Sequence, residues 1–288
     1  MAYKQDYKAL AQRMKEIQEM QKKVAQNMAR IKHKLVVLSG KGGVGKSFVT
    51  ASLATALASK GYKVGVFDAD IHGPSIPKML GLKEGTGLYA TFNGIQPAVG
   101  ALGVKVVSIG LLIPSEDTPV IWRGPMKTGA IRQLLAEVDW GELDILLIDL
   151  PPGTGDEQLT IAQLIHGLTG SVIVTIPSEV SKVVVKKAIA FTNRLNIPVI
   201  GIVENMTYFE CPDGTKHYIF GKGAAEELAK EFKINYLGGV PIDPRIREAN
   251  DAGQVFFLEY PDSPASKAFL DIANKVIEYL KQHEETSN

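Results

Sequence analysis

The chain has 288 residues, 45% hydrophobic and 22% charged, with a formal net charge of +1. This is the profile of a globular protein with a sizeable core, and it excludes disordered and fibrous classes. One cysteine excludes a disulfide framework within the chain. With no apolar run of 18 residues and no signal-peptide pattern, a cytoplasmic protein without stable membrane association is expected. Residues 1–34 nevertheless hold nine Lys/Arg against three Asp/Glu, a net of +6 that leaves −5 for the remainder. A basic arm on a mildly acidic body predicts an acidic surface as the arm's partner and no nucleic-acid-binding core.

In chain order, the arm comes first. Leu10, Met14, Ile17, Val24, Met28 and Ile31, with Gln21 filling the gap, step by four and three. That is a heptad seam and predicts a helix of about three heptads. Such a seam can dock on the protein's own body, pair with another chain or lie on a membrane surface; the lack of Trp and Phe on its apolar face counts against the last. Residues 34–39, Lys-Leu-Val-Val-Leu-Ser, read as a short, fully buried strand. Gly40-Lys41-Gly42-Gly43-Val44-Gly45-Lys46-Ser47 follows, and then a helix to Lys60, stopped by Gly61. Strands are predicted at 62–67, 104–109, 120–122, 143–150, 171–176, 198–203 and 236–240. Helices are predicted at 126–138, from 156 to about 166, at 181–195 and at 224–232, with two short helices closing the chain. The alternation predicts an α/β fold, a doubly wound and mostly parallel sheet with ligands beyond the carboxyl ends of its strands. No linker divides the chain, so residues 1–33 are expected as a helical arm and 34–288 as one domain.

The 40–47 segment fits the phosphate-loop pattern and stands in the context that gives the pattern meaning, between a strand and a helix. Its glycines let successive N–H groups turn inward on phosphate oxygens, and the helix adds the positive end of its dipole. Lys46 is expected on the β- and γ-phosphates and Ser47 on Mg²⁺. Three carboxylates stand at strand ends. Asp149 closes an apolar run in the manner of a magnesium-holding carboxylate, Asp68 is placed to support the hydration of the ion, and Asp70 to orient the attacking water. Gly153 and Gly155 make the loop after Asp149 deformable, as in switch loops.

Lys41 has no task in that general mechanism. It resembles the extra lysine of the deviant phosphate loop in the MinD, ParA and nitrogenase iron-protein class, where this lysine crosses a dimer interface to the partner's nucleotide. Within the class, residues 68–77 (Asp-Ala-Asp-Ile-His-Gly-Pro-Ser-Ile-Pro), 122–130, 148–156 (Ile-Asp-Leu-Pro-Pro-Gly-Thr-Gly-Asp) and 204–209 (Glu-Asn-Met-Thr-Tyr-Phe) are similar to the Mrp/ApbC family of iron–sulfur cluster carrier ATPases. The resemblance runs from residue 34 to about 250. It implies a homodimer through the nucleotide face, ATP and Mg²⁺ as ligands, slow basal hydrolysis, and an apoprotein client or scaffold partner. It also implies that Asn205 reads the adenine edge, assisted by the Pro241-Ile242-Asp243-Pro244 loop; a side-chain amide can donate and accept together, as adenine requires.

The family carries a Cys-x-x-Cys after the Asn-Met-Thr-Tyr-Phe element, so that a dimer offers four thiolates. Here the element reads Cys211-Pro212-Asp213-Gly214. Two copies offer two thiolates, whereas clusters take four protein ligands. Cys211 therefore reads either as part of a cluster or metal site, with His217 nearby as a second donor, or as a loop residue that binds nothing. The alternative to a cluster carrier is a MinD/ParA-like positioning or regulatory ATPase with no cluster.

Overall fold

The structure is a computed structural model describing residues 2–287 apart from 71, 72, 74, 93 and 113–123. Helix α1 (Ala2–Ala29) runs into strand β1 (Ile31–Leu38), and the 40–47 loop leads to α2 (Lys46–Ser59). Then come β2 (Val64–Asp68), the short α3 (Ile76–Met79), β3 (Tyr89–Thr91), β4 (Gly94–Gln96), β5 (Ala98–Val99) and β6 (Lys105–Ser108). The second half holds α4 (Gly124–Glu137), β7 (Leu143–Asp149), α5 (Asp156–Leu164), β8 (Gly170–Thr175), α6 (Glu179–Arg194), β9 (Val199–Glu210) and β10 (Lys216–His217). It ends with α7 (Ala224–Phe232), β11 (Asn235–Ile242), α8 (Pro244–Asp251), α9 (Phe256–Glu259) and α10 (Pro264–Ser287).

The main sheet runs β9–β8–β1–β7–β2–β6–β5, and β9 also pairs with β11 and, at its far end, with β10. Strands β11, β9, β8, β1, β7, β2 and β6 are mutually parallel, while β5 and β10 are antiparallel additions at the edges. Alternation of side chains along each central strand divides the core in two. Leu35, Val37, Ile145 and Leu147 face α2, α9 and α10, whereas Val36, Leu38, Leu146 and Ile148 face α1, α4, α5 and α6. Burial on both faces is why these strands read as unbroken apolar runs, each Leu or Ile contributing about 1.5–3 kcal/mol. Gly61, at φ +88°, ends α2 as its position in the sequence suggested, its N–H donating to the Ala58 carbonyl at 2.9 Å.

Several expectations are corrected. Residues 31–33 belong to β1, three residues inside the expected arm. The last helix spans 24 residues, so the chain does not close on two short helices. The β3–β4 hairpin was not foreseen, because Tyr89-Ala-Thr and Gly-Ile-Gln are too short to show a period. The strand expected at 120–122 lies outside the described residues.

The arm helix is longer than three heptads, and among its described side chains those of the second half meet the body. Val24 and Met28 are 2% exposed and pack with Ile131, Leu134 and Leu135 of α4, whereas Met14 and Ile17 on the same stripe are 56% and 43% exposed. Asn27 Nδ2 donates to the Ala136 carbonyl at 2.9 Å, and the buried Lys34 Nζ donates to the Met28 and Ile31 carbonyls at 3.2 and 3.0 Å. These bonds fasten the end of α1, where carbonyls have no helical partner.

Candidate functional site

The 40–47 loop leaves the carboxyl end of β1 beside the ends of β7 and β2. Gly45 is the N-cap of α2 at φ +79°, and a Cβ there would collide with the Asn205 amide nitrogen, so both the backbone angle and the space require glycine. Lys46 and Ser47, on the first turn of α2, converge on Asp149. Lys46 Nζ lies 2.5 Å from Asp149 Oδ2, and Ser47 Oγ donates to the same oxygen at 2.7 Å. Thr50 Oγ1, one helical turn on, lies 2.6 Å from Asp149 Oδ1. The Lys46 side chain is 5% exposed and that of Asp149 is not exposed at all. This buried ion pair ties the residues expected to touch phosphate and Mg²⁺ to the carboxylate expected to hold the ion.

Asp68 is the register partner of Asp149 on adjacent parallel strands. Its Oδ2 accepts from Ser108 Oγ at 2.9 Å and its Oδ1 from the Asp70 N–H at 3.1 Å. Burial and then the neighbouring Asp149 carboxylate push Asp68 up to about 8, against the pull of those hydrogen bonds. Two buried carboxylates with one lysine between them form a cation-demanding cluster, so the donor chemistry fits a magnesium ion. Asp70 is half-buried at the rim. Lys41 is also half-buried, and among the described residues its Nζ has no hydrogen bond or ion pair.

The loop after Asp149 is fastened to the phosphate loop. The Gly153 N–H donates to the Ser39 carbonyl at 2.9 Å. Gln158, 5% exposed, donates to the Pro151 and Pro152 carbonyls at 3.2 and 2.6 Å and accepts from the Gly155 N–H at 2.9 Å. Gln158 and Thr50 were both missed in the sequence. A hydroxyl side chain one helical turn after Lys46, on the same face, was the available signal for Thr50.

Two residues assigned to the base are otherwise engaged here. Asn205 is 3% exposed, and its Nδ2 donates to the Val44 carbonyl at 2.9 Å, so it grips the phosphate loop itself. Asp243 caps α8, accepting from the Arg245 N–H at 3.0 Å, and also binds the Arg245 guanidinium at 2.7 Å. Pro241 is buried in β11. Cys211 begins a tight turn after β9, donating its N–H to the Thr215 carbonyl and accepting from the Gly214 N–H, each at 2.9 Å. Gly214 sits at φ +83°, the left-handed conformation that the turn requires. His217 is exposed on β10, and among the described residues no three His, Cys, Asp or Glu side chains gather as a metal site.

A strand, a glycine loop with a second lysine at its entrance, and a buried Lys–Ser–Thr–Asp cluster together mark a nucleotide-binding protein of the phosphate-loop kind. The family described as ParA, NUBPL iron-transfer P-loop NTPase, matches residues 30–277. The chain belongs to this family.

The iron-sulfur cluster carrier protein of Saccharolobus solfataricus is 56% identical over 270 residues, 93% of this chain and 91% of that one. The protein of the same name from Methanocaldococcus jannaschii is 54% identical over 264 residues, covering 91% and 90%. Among solved structures, a nucleotide-binding protein in complex with ADP from Archaeoglobus fulgidus matches with a TM-score of 0.73 at 44% identity, over 82% of this chain and 92% of that one. The septum site-determining protein MinD with Mg-ADP from Pyrococcus horikoshii matches at 0.62 with 21% identity, over 85% and 96%, which shows the shared fold alone. This NUBPL-family chain is accordingly a nucleotide-binding P-loop ATPase on the MinD/ParA fold. No described helix is long and apolar enough to cross a membrane.

Proposed function

We propose that this ATPase works in the cytoplasm as a homodimer that uses Mg²⁺·ATP binding and slow hydrolysis to carry an iron–sulfur cluster to apoprotein clients. The observation that carries the ATPase half is the convergence of Lys46, Ser47 and Thr50 on buried Asp149 at the mouth of the 40–47 loop. Backbone N–H groups of residues 40–47 would bind the phosphates, with Lys46 on the β- and γ-oxygens. Ser47 and Asp149 would hold Mg²⁺, with Asp68 behind them; the ion would neutralise charge on the transferring phosphoryl group. Asp70 would orient the attacking water. Lys41, whose Nζ has no partner among the described residues, would serve the partner protomer's nucleotide. Asn205, which already touches the loop at Val44, would read the base, assisted by Pro241 and Asp243.

The cargo half rests on the relatives named iron-sulfur cluster carrier proteins and on Cys211. Two protomers would supply two Cys211 thiolates, and His217 of each is the further donor within the same hairpin. Such a mixed set would hold a cluster more loosely than four thiolates, which suits delivery to a client. A second reading is favoured by one observation: Gly214 fills a left-handed turn position and brings no donor. On that reading the protein is an ATP-driven switch without a cluster.

Anaerobic reconstitution with iron and sulfide separates the two readings. Iron content and visible absorbance are measured for the wild type and Cys211→Ser, with ATP turnover alongside. About one cluster per dimer, lost in Cys211→Ser with turnover retained, is expected. A wild type that takes up no iron but hydrolyses ATP leaves the switch alone standing.

A further inference from the structure

Strand β9 is not one regular strand. Pairing with β11 matches Val240 to Asn205 and Ile242 to Phe209, so Met206, Thr207 and Tyr208 stand opposite Pro241 alone. Proline has no N–H to give the ladder, and the extra residues form a bulge at that point. Met206 lies in the bulge at φ +56°, a left-handed conformation unusual for a residue with a long side chain. Thr207 Oγ1 closes the bend on the Glu204 carbonyl at 2.8 Å.

That backbone angle has a geometric consequence. On a regular strand, consecutive side chains point to opposite faces. Here two consecutive residues reach the same loop. Asn205 Nδ2 holds the Val44 carbonyl, and the Met206 methyl group lies 3.8 Å from where a Cβ on Gly45 would stand. On the other side of the bulge, buried Glu204 accepts from the Ala225 N–H at 3.0 Å, at the start of α7. Beyond it, β9 continues into the hairpin that bears Cys211. Tyr208 in this stretch packs on Tyr218 with ring centres 6.1 Å apart, and Lys216 lies 4.3 Å over the Tyr208 ring. Phosphate loop, bulge and cysteine turn are thus consecutive parts of one mechanical unit.

We infer that the 204–207 bulge is a two-state relay from the phosphate loop to the Cys211 hairpin, with Met206 as its hinge, Asn205 as its grip on the loop and Glu204 as its fixed anchor on α7. The inference rests on the ATPase reading of the 40–47 loop but not on any cluster. A nucleotide that draws the loop or the Asn205 amide toward itself removes the contacts favouring the left-handed hinge. Met206 then relaxes to an ordinary extended angle, and the end of β9 shifts with its hairpin. A ligand moves such an equilibrium only by binding the two states unequally, and competition for Asn205 and the loop supplies that inequality. Met206 is a positioning residue in this scheme and does not touch the reacting atoms.

Cys211 is the only cysteine in the chain, so thiol labelling of the full-length protein reports on this hairpin alone. The rate of maleimide labelling is measured without nucleotide and with saturating Mg·ADP or Mg·ATP, and nucleotide binding is measured separately by equilibrium dialysis. A change of about threefold or more in the wild-type rate is expected. Met206→Gly should bind nucleotide as the wild type does yet lose most of that response, because glycine occupies the left-handed angle at no cost and gains nothing by leaving it. Met206→Ala, which keeps the strain and removes the methyl group beside Gly45, should respond less than the wild type and provides the test if the glycine variant does not fold. Binding without any rate change in the wild type overturns the relay alone. A full response in Met206→Gly also overturns it, and would mean that partner coverage, not the hinge, alters the thiol. Failure to bind nucleotide overturns the ATPase reading together with the relay.

Discussion

Two glycine-bearing turns leave the carboxyl edge of the same sheet, 40–47 after β1 and 211–215 after β9, and they are built in opposite ways. The first is held by the chain's own buried side chains: Lys46, Ser47 and Thr50 close on a buried carboxylate, and Asn205 and Gly153 fasten the loop from either side. The second is held by its own backbone, offers one thiol, and is followed by Tyr218, Ile219 and Phe220 at 38%, 60% and 43% exposure. A site that must bind a small ligand tightly keeps its charges buried and paired. A site that must hand something over leaves its valences for another chain to fill.

The largest effect that can separate the two turns comes from Asp149→Ala. It strands the buried Lys46 ammonium, and a broken buried pair costs about 3–5 kcal/mol. Urea denaturation should show that loss, while Cys211→Ser should leave the midpoint nearly unmoved. If Asp149→Ala is as stable as the wild type, the pair is not the keystone of the phosphate end. Next comes Lys46→Ala. Removing one partner of a buried charged contact weakens binding on the order of 100-fold, which equilibrium dialysis with ATP can read. Retained affinity would remove Lys46 from the phosphate site. Gly214→Cys works in the opposite sense, at the second turn. The left-handed angle should cost about 1 kcal/mol or more, yet the variant adds the thiolate the turn lacks. Reconstituted protein should retain iron longer than the wild type, and unchanged iron retention would argue against a cluster at this turn.

The same contrast explains what the sequence disclosed. The phosphate loop was legible because its residues are contiguous and each type has one physical use there. The parallel core was legible because strands buried on both faces carry no polar interruption. Asn205 and Asp243 were expected at the base from the family resemblance, and the structure adds a partner within the chain for each: one clamps Val44 and the other caps α8. Val44 lies 161 residues from Asn205 and leaves no pattern, whereas Asp243 with Pro244 directly after it is a helix-start pattern. The arm was legible in part. Its heptad stripe is continuous and α4 covers it around Val24 and Met28, but nothing in the stripe marks where the cover gives way to exposed Ile17 and Met14.

The smallest expected effect concerns the cost of keeping the phosphate end ready. Asp68 has an ordinary value of 3.8 and is pushed to about 8 by burial and by Asp149 beside it. A carboxyl group whose folded value is raised stabilises the fold fully below its ordinary value, and that contribution is lost as the pH rises through the folded value. Without nucleotide and magnesium, the melting temperature should therefore fall between about pH 4 and pH 8, most steeply between about pH 5 and pH 7, and level off above. Asp68→Asn keeps the shape, cannot ionise, and should flatten the decline. Magnesium with ADP should flatten it in the wild type as well, since a bound cation favours the ionised pair. The Cys211 turn has no buried carboxylate, so Cys211→Ser should leave the slope as it is. An unaltered slope in Asp68→Asn would place the cost elsewhere and separate Asp68 from the electrostatics of the site.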